Sequence, residues 1–308
     1  MMPTILKTIN LTKSYNNNLA VQNVNININR GDIYGLIGEN GAGKTTIFKM
    51  ITGLVLKTCG SIELFSESTE NGLLTARKRL GALIERPFLY VNMTAYENLE
   101  ACRLQKGIPG KDCITKMLKL LNLNSIRDKK VCDLSLGIRQ RLGIALAVIG
   151  DPELLILDEP INSIDPIGIM EIRDILLKLN KNKNTTILIS SHILKELYNF
   201  ATRYGIMHNG KLLNEFTLKE LNEKFNKNLK IKVDNVNKAA CILETRLNTC
   251  NFKVLPDGTI SLYDYVDNPG RVSSAIFREG ITILELTPEL DNLENYFKNI
   301  VGGKVSDV

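Results

Sequence analysis

Between residues 24 and 29 the chain alternates strictly, Val24-Asn25-Ile26-Asn27-Ile28-Asn29, which puts the apolar side chains on one face and predicts a half-buried strand of an antiparallel section. Arg30-Gly31-Asp32 supplies the turn, and the apolar run Ile33-Tyr34-Gly35-Leu36-Ile37 follows as the next strand, with a helix-like stretch from Thr46 to Ile51 behind it. Gly60 to Phe65 predicts another strand. Two later runs, Leu154–Leu157 and Thr185–Ile189, read as continuous apolar runs, the second opening on two threonines, as central parallel strands covered on both faces do, and Ile167 to Leu179 supplies the crossover helix between them. From about Ala76 to Ile149 the period is helical. Ile114, Met117, Leu118 and Leu121 repeat at the spacing of one helix face, as do Leu142, Ala145, Leu146 and Ile149, and Thr94-Ala95-Tyr96-Glu97 is a capping-box pattern. Residues 76–150 therefore read as a helical insert in an α/β chain.

Beyond about Lys219 the pattern changes. Leu229–Val233, a helical Lys238 to Leu247, the pair Asn251–Leu255 and Thr259–Tyr263 around Pro256-Asp257-Gly258, a helix from Arg271 and a strand Ile281–Leu286 spell β-α-β-β-α-β. This divides the chain into a main domain over 1–218 and a small α+β domain over 219–308, ferredoxin-like in order and closed by a helix near Leu290–Val301.

Composition changes this picture little. At 308 residues, 44% hydrophobic and 23% charged, with a net charge of +6 spread along the chain, it is an ordinary globular protein, and charge gives no reason to expect a nucleic-acid partner. The six cysteines form no C-x-x-C pair and only two histidines accompany them, so no zinc-ligand spacing is present and a reduced, cytosolic compartment is expected. The N-terminus lacks the basic segment and apolar core of a signal peptide, and no stretch approaches the roughly 18 apolar residues that would span a bilayer. Any membrane role must come through a partner.

The candidate chemistry begins at Gly38-Glu39-Asn40-Gly41-Ala42-Gly43-Lys44-Thr45-Thr46, which fits G-x-x-x-x-G-K-[ST] between a strand and a helix. Gly38, Gly41 and Gly43 let the backbone turn its N–H groups inward, and the following helix offers its N-terminal donors and positive dipole end to the same anion. Lys44 would reach the β- and γ-phosphates and Thr45 would put its hydroxyl on Mg²⁺. Asp158 and Glu159 close the strand Leu154–Leu157, where ligands of open parallel sheets bind. Asp158 would hold Mg²⁺ and Glu159 would orient or deprotonate the attacking water. His192 follows the next strand and could donate to the γ-phosphate.

The phosphate loop, Leu134-Ser135-Leu136-Gly137-Ile138-Arg139-Gln140, Leu154–Glu159, Ser163-Ile164-Asp165 and His192, in this order, resemble the nucleotide-binding subunit of an ATP-binding cassette (ABC) transporter over roughly residues 4–217. The resemblance implies an α/β P-loop NTPase core: a RecA-like, mostly parallel sheet with an antiparallel β subdomain and a helical subdomain. It implies ATP and Mg²⁺ as cofactors, with Asn40, Ala42 and Thr46 sharing the phosphate loop's contacts. It further implies that Tyr15 stacks on adenine, that Ser135 and Gly137 grip the γ-phosphate bound to a second copy, and that Asp165 lies at that same interface.

Three features depart from the family pattern. The signature reads Leu-Ser-Leu-Gly-Ile in place of Leu-Ser-Gly-Gly-Gln, Ile164 stands where Leu is usual, and Glu85 stands where a glutamine usually contacts Mg²⁺. A carboxylate at 85 binds metal more strongly but adds negative charge beside the phosphates. Glu85, the run at 135–145 and the C-terminal extension are similar to the bacitracin and lantibiotic self-protection branch. The expected protein is thus the ATPase subunit of a bacterial exporter, a homodimer working with a separate transmembrane permease at the inner face of the membrane. The alternatives are a soluble cassette ATPase acting on ribosomes or nucleic acid, a multidrug exporter subunit of another branch, and a regulator that no longer hydrolyses ATP.

Overall fold

The computed structural model describes residues 3–16, 18–162, 164–198, 200–224 and 227–290. Ser163, and all of the expected closing helix beyond residue 290, lie outside them. The chain divides into two compact units, Met1–Leu218 and Lys219–Val308.

In the first unit the antiparallel section comes first: β1 (Thr4–Tyr15), β2 (Asn18–Val24) and β3 (Asn27–Asn29). Then follow β4 (Ile33–Gly38), α1 (Lys44–Thr52), β5 (Cys59–Leu64), α2 (Glu70–Arg77) and β6 (Leu80–Leu83). A helical segment holds α3 (Ala95–Gln105), α4 (Asp112–Leu120) and α5 (Leu136–Val148). The unit returns to the sheet with β7 (Leu154–Leu157), α6 (Pro166–Lys183), β8 (Thr186–Ser191), α7 (Leu194–Tyr198), β9 (Arg203–His208) and β10 (Lys211–Thr217). The main sheet has the order β10-β9-β4-β8-β7-β6 and is parallel apart from the β9–β10 hairpin.

The alternation at 24–29 is real in burial, with Val24, Ile26 and Ile28 buried, but it spans two strands. β2 and β3 both pair with β1, and between them the buried Thr8 hydroxyl donates to Val24 O at 3.0 Å and accepts from Ile26 N at 2.8 Å. A side chain thus replaces ladder bonds where the chain steps between strands. The alternation of β1 breaks at Asn10, whose φ of +48° falls in an irregularity of the pairing with β5, so the sequence pattern does not mark it as a strand.

The helical segment is shorter than its sequence limits. Residues 80–83 form β6, an edge strand pairing with β7, so the helices begin at Ala95 and not near residue 76. Four residues with Gly and Ala in the middle, Leu80-Gly81-Ala82-Leu83, carry too short a pattern to distinguish strand from helix. The capping box is present in full: Thr94 Oγ1 accepts from Glu97 N, and the Glu97 carboxylate accepts from Thr94 N.

The continuous apolar runs are fully covered, every residue of β4, β7 and β8 being buried. Beneath them α1 contributes Ile47, Phe48, Met50 and Ile51 to the core. At the entry ends of the strands Glu153 takes Arg30 Nη2 and Arg79 Nε, each at 2.5 Å, joining the residues that precede β7, β4 and β6. Those guanidiniums hold its carboxyl at a pKa of about 2.

The second unit contains α8 (Leu218–Lys224) at its start, then β11 (Lys227–Val233), α9 (Val236–Arg246), β12 (Phe252–Val254), β13 (Ile260–Leu262), α10 (Pro269–Arg278) and β14 (Ile283–Leu290). The strands pair antiparallel in the order β12-β13-β11-β14, with Leu229, Ile231, Ala239, Leu243, Ile260 and Leu262 among its buried core.

Candidate functional site: a phosphate loop and a carboxylate pair

β4 delivers Gly38 to the exit edge of the sheet, and α1 starts at Lys44 with Gly43 as its N-cap. The glycines are required by what surrounds the loop. A Cβ on Gly38 would lie 2.6 Å from Met207 O, and one on Gly43, whose φ is +103°, 2.5 Å from Ala20 O. Gly41 instead has open space and a φ of +84°, so there only the backbone conformation asks for glycine. Ala42 is buried, Asn40 is exposed and Thr46 is half-buried.

Lys44 is 5% exposed, and its ammonium donates to Gly38 O at 2.6 Å and Glu39 O at 3.2 Å. The same Nζ lies 3.1 Å from Glu159 Oε1, an atom buried without any hydrogen bond. Glu159 Oε2 is 2.8 Å from His192 Nδ1. Since an ionised carboxylate only accepts, Nδ1 carries the proton in this pair. Asp158, next to Glu159, is buried to 2%. Its Oδ2 accepts from Thr45 Oγ1 and its Oδ1 from Ser190 Oγ, both at 2.7 Å.

Ser190 was not singled out in the sequence. Its hydroxyl also accepts from Glu159 N at 2.8 Å, so one side chain holds both the Asp158 carboxylate and the Glu159 backbone. Glu159 has a φ of +47°, a conformation that costs about 1–3 kcal/mol in a residue with a side chain, and the Ser190 bond holds it there. The available signal was a serine ending an apolar strand beside the one that carries the Asp-Glu pair. Lys44, Thr45, Asp158, Glu159 and His192, taken from three separate stretches of chain, therefore form one connected cluster.

The remaining candidates stand apart from it. Ser135 is exposed and caps its own helix α5, accepting from Ile138 N at 3.4 Å. Gly137 is half-buried, with Ile164 Cγ2 3.7 Å from where a Cβ would be. Asp165 is the N-cap of α6, exposed and making no side-chain cap bond. Tyr15 is 45% exposed, with Lys13 Nζ 4.8 Å from its ring centroid. Glu85 shares a cleft of about 640 Å³ with Thr45, Asp158 and Glu159, but its Oε1 is taken by Lys49 Nζ at 2.6 Å. That cation, one helical turn beyond Thr45, offsets the negative charge which the sequence alone left uncompensated. Among the described residues no three His, Cys, Asp or Glu side chains gather as a metal cluster, and no helix is long and apolar enough to cross a membrane.

A family model described as ABC transporter matches residues 21–162. Over 302 residues the chain is 41% identical to the bacitracin transport ATP-binding protein BcrA of Bacillus licheniformis, covering 98% of this chain and 99% of that protein. The chain belongs to the ABC transporter ATP-binding proteins. It is 46% identical over 211 residues to the lantibiotic transport ATP-binding protein SrtF of Streptococcus pyogenes, covering 68% of this chain and 90% of SrtF. Among solved structures it is similar to the dimeric ATP-binding cassette MJ0796 in a post-hydrolysis state bound to ADP and Pi, with a TM-score of 0.65 and 26% identity over 70% of this chain and 99% of that one. As a cassette of this family the chain binds and hydrolyses ATP, and the connected cluster lies where the phosphate loop meets the strand ends.

Proposed function

We propose that this chain is the ATP-hydrolysing subunit of an exporter that removes a bacitracin-like or lantibiotic peptide antibiotic, and that it powers a separate transmembrane permease at the inner face of the membrane. The observation that carries the reading is the joined Lys44–Glu159–His192 and Thr45–Asp158–Ser190 network, in a chain alike to BcrA along nearly its whole length.

In this reading the backbone donors of Gly38 to Thr46 and the Lys44 ammonium hold the β- and γ-phosphates, and Tyr15 stacks on adenine. The Thr45 hydroxyl and the Asp158 carboxylate, linked at 2.7 Å, are the hard oxygen donors that suit Mg²⁺, and Glu85 lines the same cleft. The ion supplies charge neutralisation to the transferred phosphoryl group. Glu159 accepts the proton of the attacking water. His192 gives its Nδ1–H to Glu159, so it donates from Nε2 to the γ-phosphate only as the imidazolium; in the neutral ring Nε2 accepts. Ser135 and Gly137 act on the γ-phosphate bound to a second copy and Asp165 lies at the same interface, which fits the exposure of Ser135 and Asp165 here. The permease docks beside Glu85, where Phe88 is 90% exposed and Tyr90, Val91 and Met93 are exposed with it, an apolar run on open surface.

The test is to express the chain in a bacitracin- and lantibiotic-sensitive bacterium, with and without the permease encoded beside it. Resistance should rise only with both present and return to the sensitive level with Glu159→Gln. Resistance without the permease, or unchanged resistance in the variant, overturns the export reading.

A further inference from the structure

Gly210 belongs to none of the motifs above. It is the second residue of the Asn209-Gly210 turn between β9 and β10, where the two residues have φ of +46° and +78°. Its N–H donates to Ala42 O of the phosphate loop at 3.0 Å, and its carbonyl accepts from Gln22 N of β2 at 2.7 Å. One residue thus ties the loop to β2 through backbone alone. β2 pairs with β1 so that Tyr15 lies opposite Asn18, two residues before Ala20. The Ala20 carbonyl in turn lies against both glycines: a Cβ would be 2.5 Å from it on Gly43 and 2.9 Å on Gly210.

We propose that Gly210 is a positioning residue for nucleotide binding, which sets the spacing between the phosphate loop and the sheet that carries Tyr15. The inference rests on Tyr15 stacking on adenine. Apart from the Ala42 carbonyl, which the Gly210 N–H holds, the loop's contacts, Lys44 to Gly38 O and Glu39 O and the start of α1, do not pass through Gly210. A side chain at 210 therefore has to move β2 or the turn while leaving the phosphate cradle formed, and what it disturbs is the register of base against phosphates. A purely structural role would weaken every ligand of the loop alike.

Calorimetry with Mg²⁺ separates these outcomes, using either ATP or inorganic tripolyphosphate on the full chain and its Tyr15→Ala, Gly210→Ala and doubly substituted forms. Each single variant should bind ATP roughly fivefold or more weakly, the size of a lost base–aromatic stack, and bind tripolyphosphate within about twofold of the parent. The double variant should bind ATP no more weakly than the worse single one, because both remove the same stacking contribution. Equal loss of both ligands in Gly210→Ala, or losses that multiply in the double variant, overturn the proposal. ATP binding unchanged in Tyr15→Ala rejects the stacking assignment itself, whereas loss in Tyr15→Ala with none in Gly210→Ala rejects only the role of Gly210. If Gly210→Ala does not fold, Asn209→Ala, which strains the turn while sparing Gly210, is expected to show the same ATP-selective loss, and no such loss counts against the proposal.

Discussion

Lys44 and Asp158 are 5% and 2% exposed and joined to Glu159, His192 and Thr45 by short polar contacts, whereas Ser135, Asp165 and Tyr15, assigned to the same kind of ligand, stand on open surface. The two groups differ in what fixes them. The buried group is over-determined: Ser190 meets the Asp158 carboxylate and the Glu159 backbone N–H, the Glu159 carboxylate meets both Lys44 and His192, and Lys44 is satisfied by two loop carbonyls besides Glu159. Burying those charges is tolerable only because they are paired. The exposed group is fixed by helix ends and strand positions, and among the described residues its side chains meet a local cap or a neighbouring lysine. In the proposed function the first group carries the chemistry, and the second meets the base or a second copy.

Substitutions in the two groups should therefore fail in different ways. The largest effect is expected from Glu159→Gln. An amide can keep its oxygen on Lys44 and turn its NH₂ to His192 Nδ1 in the other tautomer, so the cluster stays intact while the base is lost. Turnover of the assembled transporter should fall by about 10²–10⁴-fold with ATP affinity retained, as steady-state kinetics and nucleotide binding would show. Normal turnover removes Glu159 from the proposed mechanism.

Lys44→Ala should act on binding. Losing charge-assisted phosphate contacts worth roughly 1.5–3 kcal/mol weakens ATP by about 10- to 150-fold. Fluorescence titration with a labelled ATP analogue reads this, and unchanged affinity would show that the ammonium serves Glu159 and the loop carbonyls only.

The smallest effect lies at the opposite ends of the strands. Glu153 has a carboxyl pKa lowered to about 2, first by the hydrogen bond from Arg79 and then by Arg30. A depressed folded-state pKa gives stability that is fully present above the unfolded value of 4.5 and lost as pH falls through the folded one, so the contribution should fade between about pH 4.5 and 2. The pair is partly exposed, with side chains 33% to 41% accessible, so solvent screening keeps the gain small. Arg79→Ala should flatten the acid limb of the melting temperature against pH while leaving ATP affinity unchanged. An unaltered limb would show that the pair contributes nothing to folding.

How much of this was readable beforehand follows the same division. The buried strands announce themselves because β4, β7 and the centre of β8, Ile187–Ile189, are continuous apolar runs, and the residues just past them are then placed by the sheet. Ser190 escaped notice because a serine at a strand end has many ordinary roles, and its bridging of Asp158 and Glu159 depends on β7 and β8 lying side by side. Lys49 escaped for the same reason: one lysine on α1 matches Glu85 only when a distant loop folds back on it. β1 and β6 were hidden by a bulge and by brevity. The Asn209-Gly210 turn is a recognised hairpin signal, yet its bond to Ala42 cannot be read from the turn. In the second unit, alternation and turn residues delivered the order of elements without indicating any chemistry.

We propose that the buried cluster is half of a site which a second copy completes through Ser135, Gly137 and Asp165. Sedimentation velocity of the Glu159→Gln chain, with and without MgATP, decides this. A 34.4 kDa monomer is expected without nucleotide, a species of twice that mass with MgATP, and return to monomer when Ser135→Ala is added while each chain still binds ATP. A monomer that is saturated with ATP at every protein concentration, or a dimer indifferent to Ser135, would contradict it.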